Sequence, residues 1–189
     1  EDKSPSHYQY KGTYIMNAVK SGLMIIDQHR AHVRILYEQY LAQLATQKSA
    51  TQTVLFPESF QLSATQRIVY EKIADEMSAM GFDIQDLGAG NYAINGIPAG
   101  LEGVNPVRLV IEMVDTAAEN TVSIKEDIDE SLALSMARSA AIPQGQVLSN
   151  VEMENIVNSL FLCKNPNVTP DGKTILCILK QTEIEHLLG

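Results

Sequence analysis

Apolar and polar positions alternate through residues 8–19, where Tyr14, Met16 and Ala18 interleave with Ile15 and Asn17. Lys20-Ser21-Gly22 interrupts the pattern, and Leu23-Met24-Ile25-Ile26 follows as an unbroken apolar run. Alternation, a turn and a continuous run predict a hairpin whose second strand is buried on both faces. From Arg30 to Gln47 the period lengthens. Leu36, Tyr40 and Leu44 recur at every fourth position, flanked by Tyr37 and Leu41, which predicts an amphipathic helix. Residues 46–53 are small and polar and read as a linker.

Three later helices are announced by a Ser followed three residues on by Gln or Glu, the pattern of a capping box. These are Ser63 with Gln66, Ser123 with Glu126, and Ser149 with Glu152. The apolar stripes behind them are Val69, Ile73, Met77 and Met80; then Ile124, Ile128, Leu132, Met136 and Ala140; then Met153, Ile156, Val157, Leu160 and Phe161. Residues 82–87 and 92–95 flank Gly88-Ala89-Gly90-Asn91, a turn of residues that tolerate positive φ, and so predict a second hairpin. Residues 107–118 read as a helix and 174–179 as a buried strand. No internal repeat or low-complexity block is present. The expected class is α+β, with helices packed on a small mixed sheet.

Composition narrows the functional classes. The chain has 189 residues, 45% of them hydrophobic, with a formal net charge of −9. That suits a folded domain, or two small lobes on one chain, and argues against disorder. No apolar run reaches the roughly 18–20 residues needed to span a bilayer, so no membrane is expected. Residues 1–7 read as a polar tail. Cys163 and Cys177 are the two cysteines and form no CxxC pair, which leaves out a disulfide framework or a four-Cys zinc site and fits a reducing cytosol. The acidic balance opposes tight DNA binding over the whole surface.

Two segments carry candidate chemistry. Asp27-Gln28-His29-Arg30-Ala31-His32 falls where a strand ends and a helix begins, and an Asp with two His at such a place suits a divalent cation. From pattern alone the favoured reading is a polar first turn of a helix, and Val33 stands where a second-turn ligand would be expected. Thr169-Pro170-Asp171-Gly172-Lys173-Thr174 reads as a β-turn before the last strand.

The stretch Gly22–Glu38, centred on Asp27-Gln28-His29, resembles the start of the C-terminal domain of the MutL mismatch-repair family. Nuclease-type members carry Asp-Gln-His-Ala-x-x-Glu-x-x-x-x-Glu there. Asp27, Gln28, His29 and Glu38 match; Arg30 replaces the Ala and Val33 the essential metal-binding Glu. Further on, Met136-Ala137-Arg138 is similar to the family's Ala-Cys-Arg segment, with Ala137 in place of the Cys. Thr169-Pro170-Asp171-Gly172-Lys173-Thr174-Ile175 is similar to Cys-Pro-His-Gly-Arg-Pro-Thr, with Thr169 and Asp171 replacing the Cys and His. The C-terminal Phe-x-Arg element has no counterpart in Glu185–Gly189. Gln52-Thr53-Val54-Leu55-Phe56-Pro57 resembles the family's Gln-x-φ-φ-x-Pro segment that docks on the bacterial sliding clamp, through Gln52, Val54, Leu55, Phe56 and Pro57. The same residues equally suit the start of a strand.

The resemblance implies a discontinuous dimerisation lobe, residues 8–53 with 124–189, and an inserted α/β regulatory lobe, residues 57–120. Its two apolar helices, at 124–141 and 149–162, and the sheet edge are the expected homodimer interface. The expected function is a dimerisation and scaffold domain in a bacterial cytoplasm, associated with the nucleoid during repair. It would hold together a clamp driven by ATP, with ATP bound outside these residues, and contact MutS, a downstream nuclease or helicase, and DNA weakly. Losing a carboxylate, two thiols and an imidazole implies no catalytic residue and no metal here. The alternative is a divergent nicking endonuclease with Mn2+, Mg2+ or Zn2+, in which Asp27, His29, Glu38 and Asp171 hold metal and Arg138 and Lys173 contact phosphate.

Overall fold

The computed structural model describes residues 7–46, 50–101, 103–119 and 125–189, with the side chains of residues 125–128 excepted. The chain divides into two compact units, residues 1–36 with 141–189 and residues 37–140. The division falls within the first helix and just after the fourth.

In the first unit, β1 (Tyr8–Tyr10), β2 (Tyr14–Val19) and β3 (Gly22–Asp27) form an antiparallel meander. The helix α1 (Gln28–Thr46) leaves directly from β3. Much later in the sequence, β7 (Leu176–Lys180) pairs antiparallel with β3 and completes a four-stranded sheet in the order β1-β2-β3-β7. Register fixes the faces, because side chains alternate along each strand. Ile15, Met24 and Ile26 point to the inner face and are at most 5% exposed. They pack in one core with Ala31 and Ile35 of α1 and with Met153, Ile156, Val157 and Leu160 of α5 (Asn150–Leu162). The predicted capping box is present: the Ser149 side chain accepts the Glu152 amide while Glu152 accepts the Ser149 amide. A last helix, α6 (Gln181–Leu188), follows β7 without a break.

In the second unit, β4 (Thr51–Gln61), β5 (Asp83–Gly88) and β6 (Asn91–Pro98) form an antiparallel sheet with β6 in the centre. The central strand is the buried one, with Ile94 at 0% exposure. The β5–β6 turn is as predicted, with Gly88, Ala89 and Gly90 all at positive φ. Helices α2 (Ala64–Ala79), α3 (Pro106–Glu119) and α4 (Lys125–Ala140) complete the unit, α2 with the Ser63–Gln66 capping box. The α3 residues Leu109, Val110, Met113 and Val114 and the α4 residues Leu132, Ala133, Met136 and Ala137 are buried almost completely. The proposed box at Ser123 lies outside the described residues.

Three readings need correction. Residues 51–53 belong to β4 rather than to a linker, because their backbone pairs with Gly96–Pro98. Strand β7 is an edge strand with Cys177 and Ile178 exposed, not a buried one. The described stripe residues Leu132 and Met136 of α4 and Met153, Ile156, Val157 and Leu160 of α5 are buried inside their own chain and so are not open to a second copy, whereas Phe161, with Val151 and Leu162, is exposed; Ile124 and the Ile128 side chain lie outside the described residues.

Candidate functional site

The motif at the start of α1 is built by the change from strand to helix. Asp27, 8% exposed, ends β3 and its Oδ1 accepts the Arg30 amide at 3.0 Å, which satisfies one of the free N–H groups of the first helical turn. Its Oδ2 lies 3.4 Å from Arg30 Nε. Gln28 is completely buried and faces the segment that follows α4. Its side-chain amide donates to the Gln146 carbonyl at 3.1 Å and its Oε1 accepts from Gln9 at 2.6 Å; Gln9 also donates to the Gln146 carbonyl at 2.7 Å and accepts the Leu148 amide at 3.0 Å. Beside them the Gly145 amide donates to the Gly12 carbonyl at 2.8 Å. Gly12 has φ +60, and a Cβ there would come within 2.8 Å of the Gly145 backbone, so this close approach needs glycine.

The two histidines hold the same segment. His29 Nδ1 lies 2.8 Å from the Ile142 carbonyl, which can only accept, so that nitrogen carries the proton. His32 Nδ1 accepts the Ile142 amide at 2.9 Å and is therefore bare. Burial, and secondarily the charge of His29, hold the His32 pKa below its ordinary value.

Val33 is 4% exposed, so the position of the family carboxylate is an apolar core position here. Asp171 is engaged within its own turn: Thr169 Oγ1 donates to its Oδ1 at 2.6 Å, and Lys173 Nζ lies 3.4 Å from its Oδ2. Glu38 is half-buried farther along α1, in the second unit. Arg138, also in the second unit, lines a hollow with the carboxylates of Glu112, Asp115 and Glu119, an acidic setting unlike a phosphate site. Among the described residues no three His, Cys, Asp or Glu side chains come together to hold a metal ion. The residues at α1 fall short of a two-metal donor set, because Val33 is apolar and Asp27 is paired with Arg30, although the Nδ1–H of His29 on the Ile142 carbonyl leaves its Nε2 available.

Two other features stand out. The register of β4 against β6 jumps from Thr53↔Gly96 to Glu58↔Ile94, so residues 54–57 bulge opposite Asn95. Leu55 and Phe56 are 90% and 83% exposed on this bulge, with Val54 half-buried and Gln52 and Pro57 exposed. The second is the outer face of the four-stranded sheet. The pairings Tyr8↔Met16, Met16↔Ile25, Ile25↔Cys177, Ala18↔Leu23 and Leu23↔Leu179 place these residues in cross-strand rows on one face. Tyr10 and Tyr14 join them, and every one of these side chains is exposed or half-buried. The hydrophobic pattern alone marks both sets of residues as apolar and does not show them as exposed, although the resemblance offered residues 52–57 as a docking segment.

Comparison with known proteins agrees with the family resemblance. Residues 7–148 match the family described as the MutL C terminal dimerisation domain. The chain is 52% identical over 186 residues to a DNA mismatch repair protein MutL of Bacteroides fragilis, covering 98% of the chain and 30% of that protein. It is 47% identical to the MutL of Phocaeicola vulgatus and 33% identical to that of Flavobacterium johnsoniae, each over 186 residues, 98% of the chain, and 30% and 29% of those proteins. The chain thus spans under a third of the length of these relatives. It belongs to the MutL C-terminal dimerisation domain family.

Proposed function

We propose that this chain is the homodimerisation and scaffold module of a mismatch-repair MutL and does not itself cut DNA. The observation that carries the reading is the outer face of the β1-β2-β3-β7 sheet, an apolar row of Tyr8, Tyr14, Met16, Leu23, Ile25 and Leu179 on strands that cover only their inner face. Monomeric proteins seldom leave so continuous an apolar patch to water, whereas obligate dimers bury one between copies. The family name supplies the occupant, a second copy, and two-fold symmetry lets one face serve both partners. Joined at this end, two polypeptides would keep their ATP-driven portions close enough to close around DNA. The relatives are bacterial, and a bacterial cytoplasm with MutS and a downstream nuclease or helicase is the setting this reading adopts.

Catalysis is not part of this reading, since Val33 offers no carboxylate, Asp27 is paired with Arg30, and Asp171 is engaged by Thr169 and Lys173. The net charge of −9 also disfavours close contact with a polyanion. Incubating the protein with supercoiled plasmid and Mn2+ tests this: intact plasmid is expected, and nicking that disappears in Asp27→Asn would overturn it.

A second role is favoured by the β4 bulge. An apolar pair as exposed as Leu55 and Phe56, flanked by Gln52 and Pro57, is the form of a short peptide that inserts into a pocket on a partner, here the sliding clamp. The bulge belongs to the second unit and the sheet face to the first.

A further inference from the structure

The turn before β7 is held from outside by two arginines. Arg30 and Arg34 stand one helical turn apart on α1 and so project from one face. Arg34 Nε donates to the Val168 carbonyl at 2.9 Å, and Arg30 Nη1 donates to the Thr174 carbonyl at 2.7 Å. Val168 and Thr174 are themselves bridge partners, so the guanidinium groups take both legs of one turn at its mouth. Arg34 is 7% exposed. The interior of the turn is closed by Thr169, which is 3% exposed, donates to Asp171 and accepts the Lys173 amide at 2.9 Å. Beyond the turn, the Asp27 amide donates to the Ile175 carbonyl at 2.9 Å, and Leu176 opens β7 opposite Ile26.

We infer that Arg30 and Arg34 form a guanidinium clamp that fastens the 168–174 turn to α1, in the role a bound cation would have between these two motifs. The inference rests on the reading of the α1 site as metal-free and deepens it. Where the family resemblance implies a cation between the first motif and this turn, the chain supplies a permanent positive charge of its own. Arg30 reaches the Asp27 carboxylate with Nε and the turn with Nη1, which a forked donor can do and a single ammonium cannot. The clamp fixes where β7 begins, and β7 carries Cys177 and Leu179 of the outer sheet face. Arg30 and Arg34 are therefore positioning residues for the dimer surface, and that surface needs no divalent ion.

Hydrogen exchange by mass spectrometry on the whole chain tests this, with wild type compared in EDTA and in Mn2+ and against Arg30→Ala and Arg30→Lys. Arg30 is the residue to change, since its side chain is 40% exposed and the fold does not depend on burying it. Peptides covering 168–176 are expected to exchange about tenfold faster in Arg30→Ala, the size of one lost charged hydrogen bond. Peptides of the second unit should be unchanged, Arg30→Lys should resemble Arg30→Ala, and EDTA and Mn2+ should leave wild type unaltered. Unchanged exchange in Arg30→Ala, or protection of the wild-type turn by Mn2+, would overturn the clamp. A wild-type chain that sediments as a monomer while the exchange results hold would reject the dimerisation reading and leave the clamp standing.

Discussion

Ile142 is used in opposite senses by two imidazoles: its carbonyl accepts from His29 and its amide donates to His32. Protonating His32 at Nδ1 removes the second bond, and burial makes that proton harder to place in the folded chain than in the unfolded one. The sign follows from linkage. A base whose folded pKa is depressed contributes fully above its unfolded value, about 6.5, and destabilises the fold as pH drops through that value. The melting temperature should therefore fall between about pH 7 and about pH 5, and His32→Gln, which keeps an acceptor without titrating, should flatten that fall. Equal slopes in the two proteins would contradict this origin. Gln28 is the other central residue. Gln28→Ala removes two side-chain hydrogen bonds and empties a fully buried position, and is expected to cost about 1–3 kcal/mol in urea unfolding. The sequence marks Asp27, Gln28 and His29 as one motif and Val33 as a departure from it, and the structure places Val33 in the core. It did not reveal that Gln28, His29 and His32 all grip one distant segment, because such partners are brought together by topology rather than by spacing.

At the level of elements, the helices were the legible part. Both capping boxes that fall within the described residues form, since an N-cap Ser and an N3 carboxylate or amide satisfy each other locally. Strands were read less well, and for a physical reason. The run Thr174–Leu179 is apolar enough for a core, yet β7 lies at an edge with part of its surface exposed. Hydrophobic pattern cannot separate burial within a chain from burial against a second copy. The bulge in β4 was hidden likewise, because a register jump leaves no mark on composition. Leu55→Ala with Phe56→Ala should change unfolding free energy by less than about 0.5 kcal/mol, as exposed positions do. The same pair should abolish pull-down of the sliding clamp; retained binding would leave the bulge without the role given to it.

For the molecule as a whole, the net charge of −9 and the uncovered apolar outer face of the first sheet are the features on which the proposed homodimer rests. The family is one of dimerisation domains, and the face proposed here for a second copy is the outer face of the sheet, since the described stripe residues of α4 and most of those of α5 are buried. Ile25 stands near the middle of that face, between Met16 on one neighbouring strand and Cys177 on the other. A carboxylate there would be forced against apolar surface in a dimer and solvated in a monomer. Sedimentation velocity of the wild-type chain and of Ile25→Glu at micromolar concentration is the direct test, with circular dichroism to verify that the variant is folded. The wild type is expected at twice its 20.8 kDa mass and the folded variant at 20.8 kDa. A monomeric wild type, or a folded variant that remains a dimer, would contradict the assignment of this face.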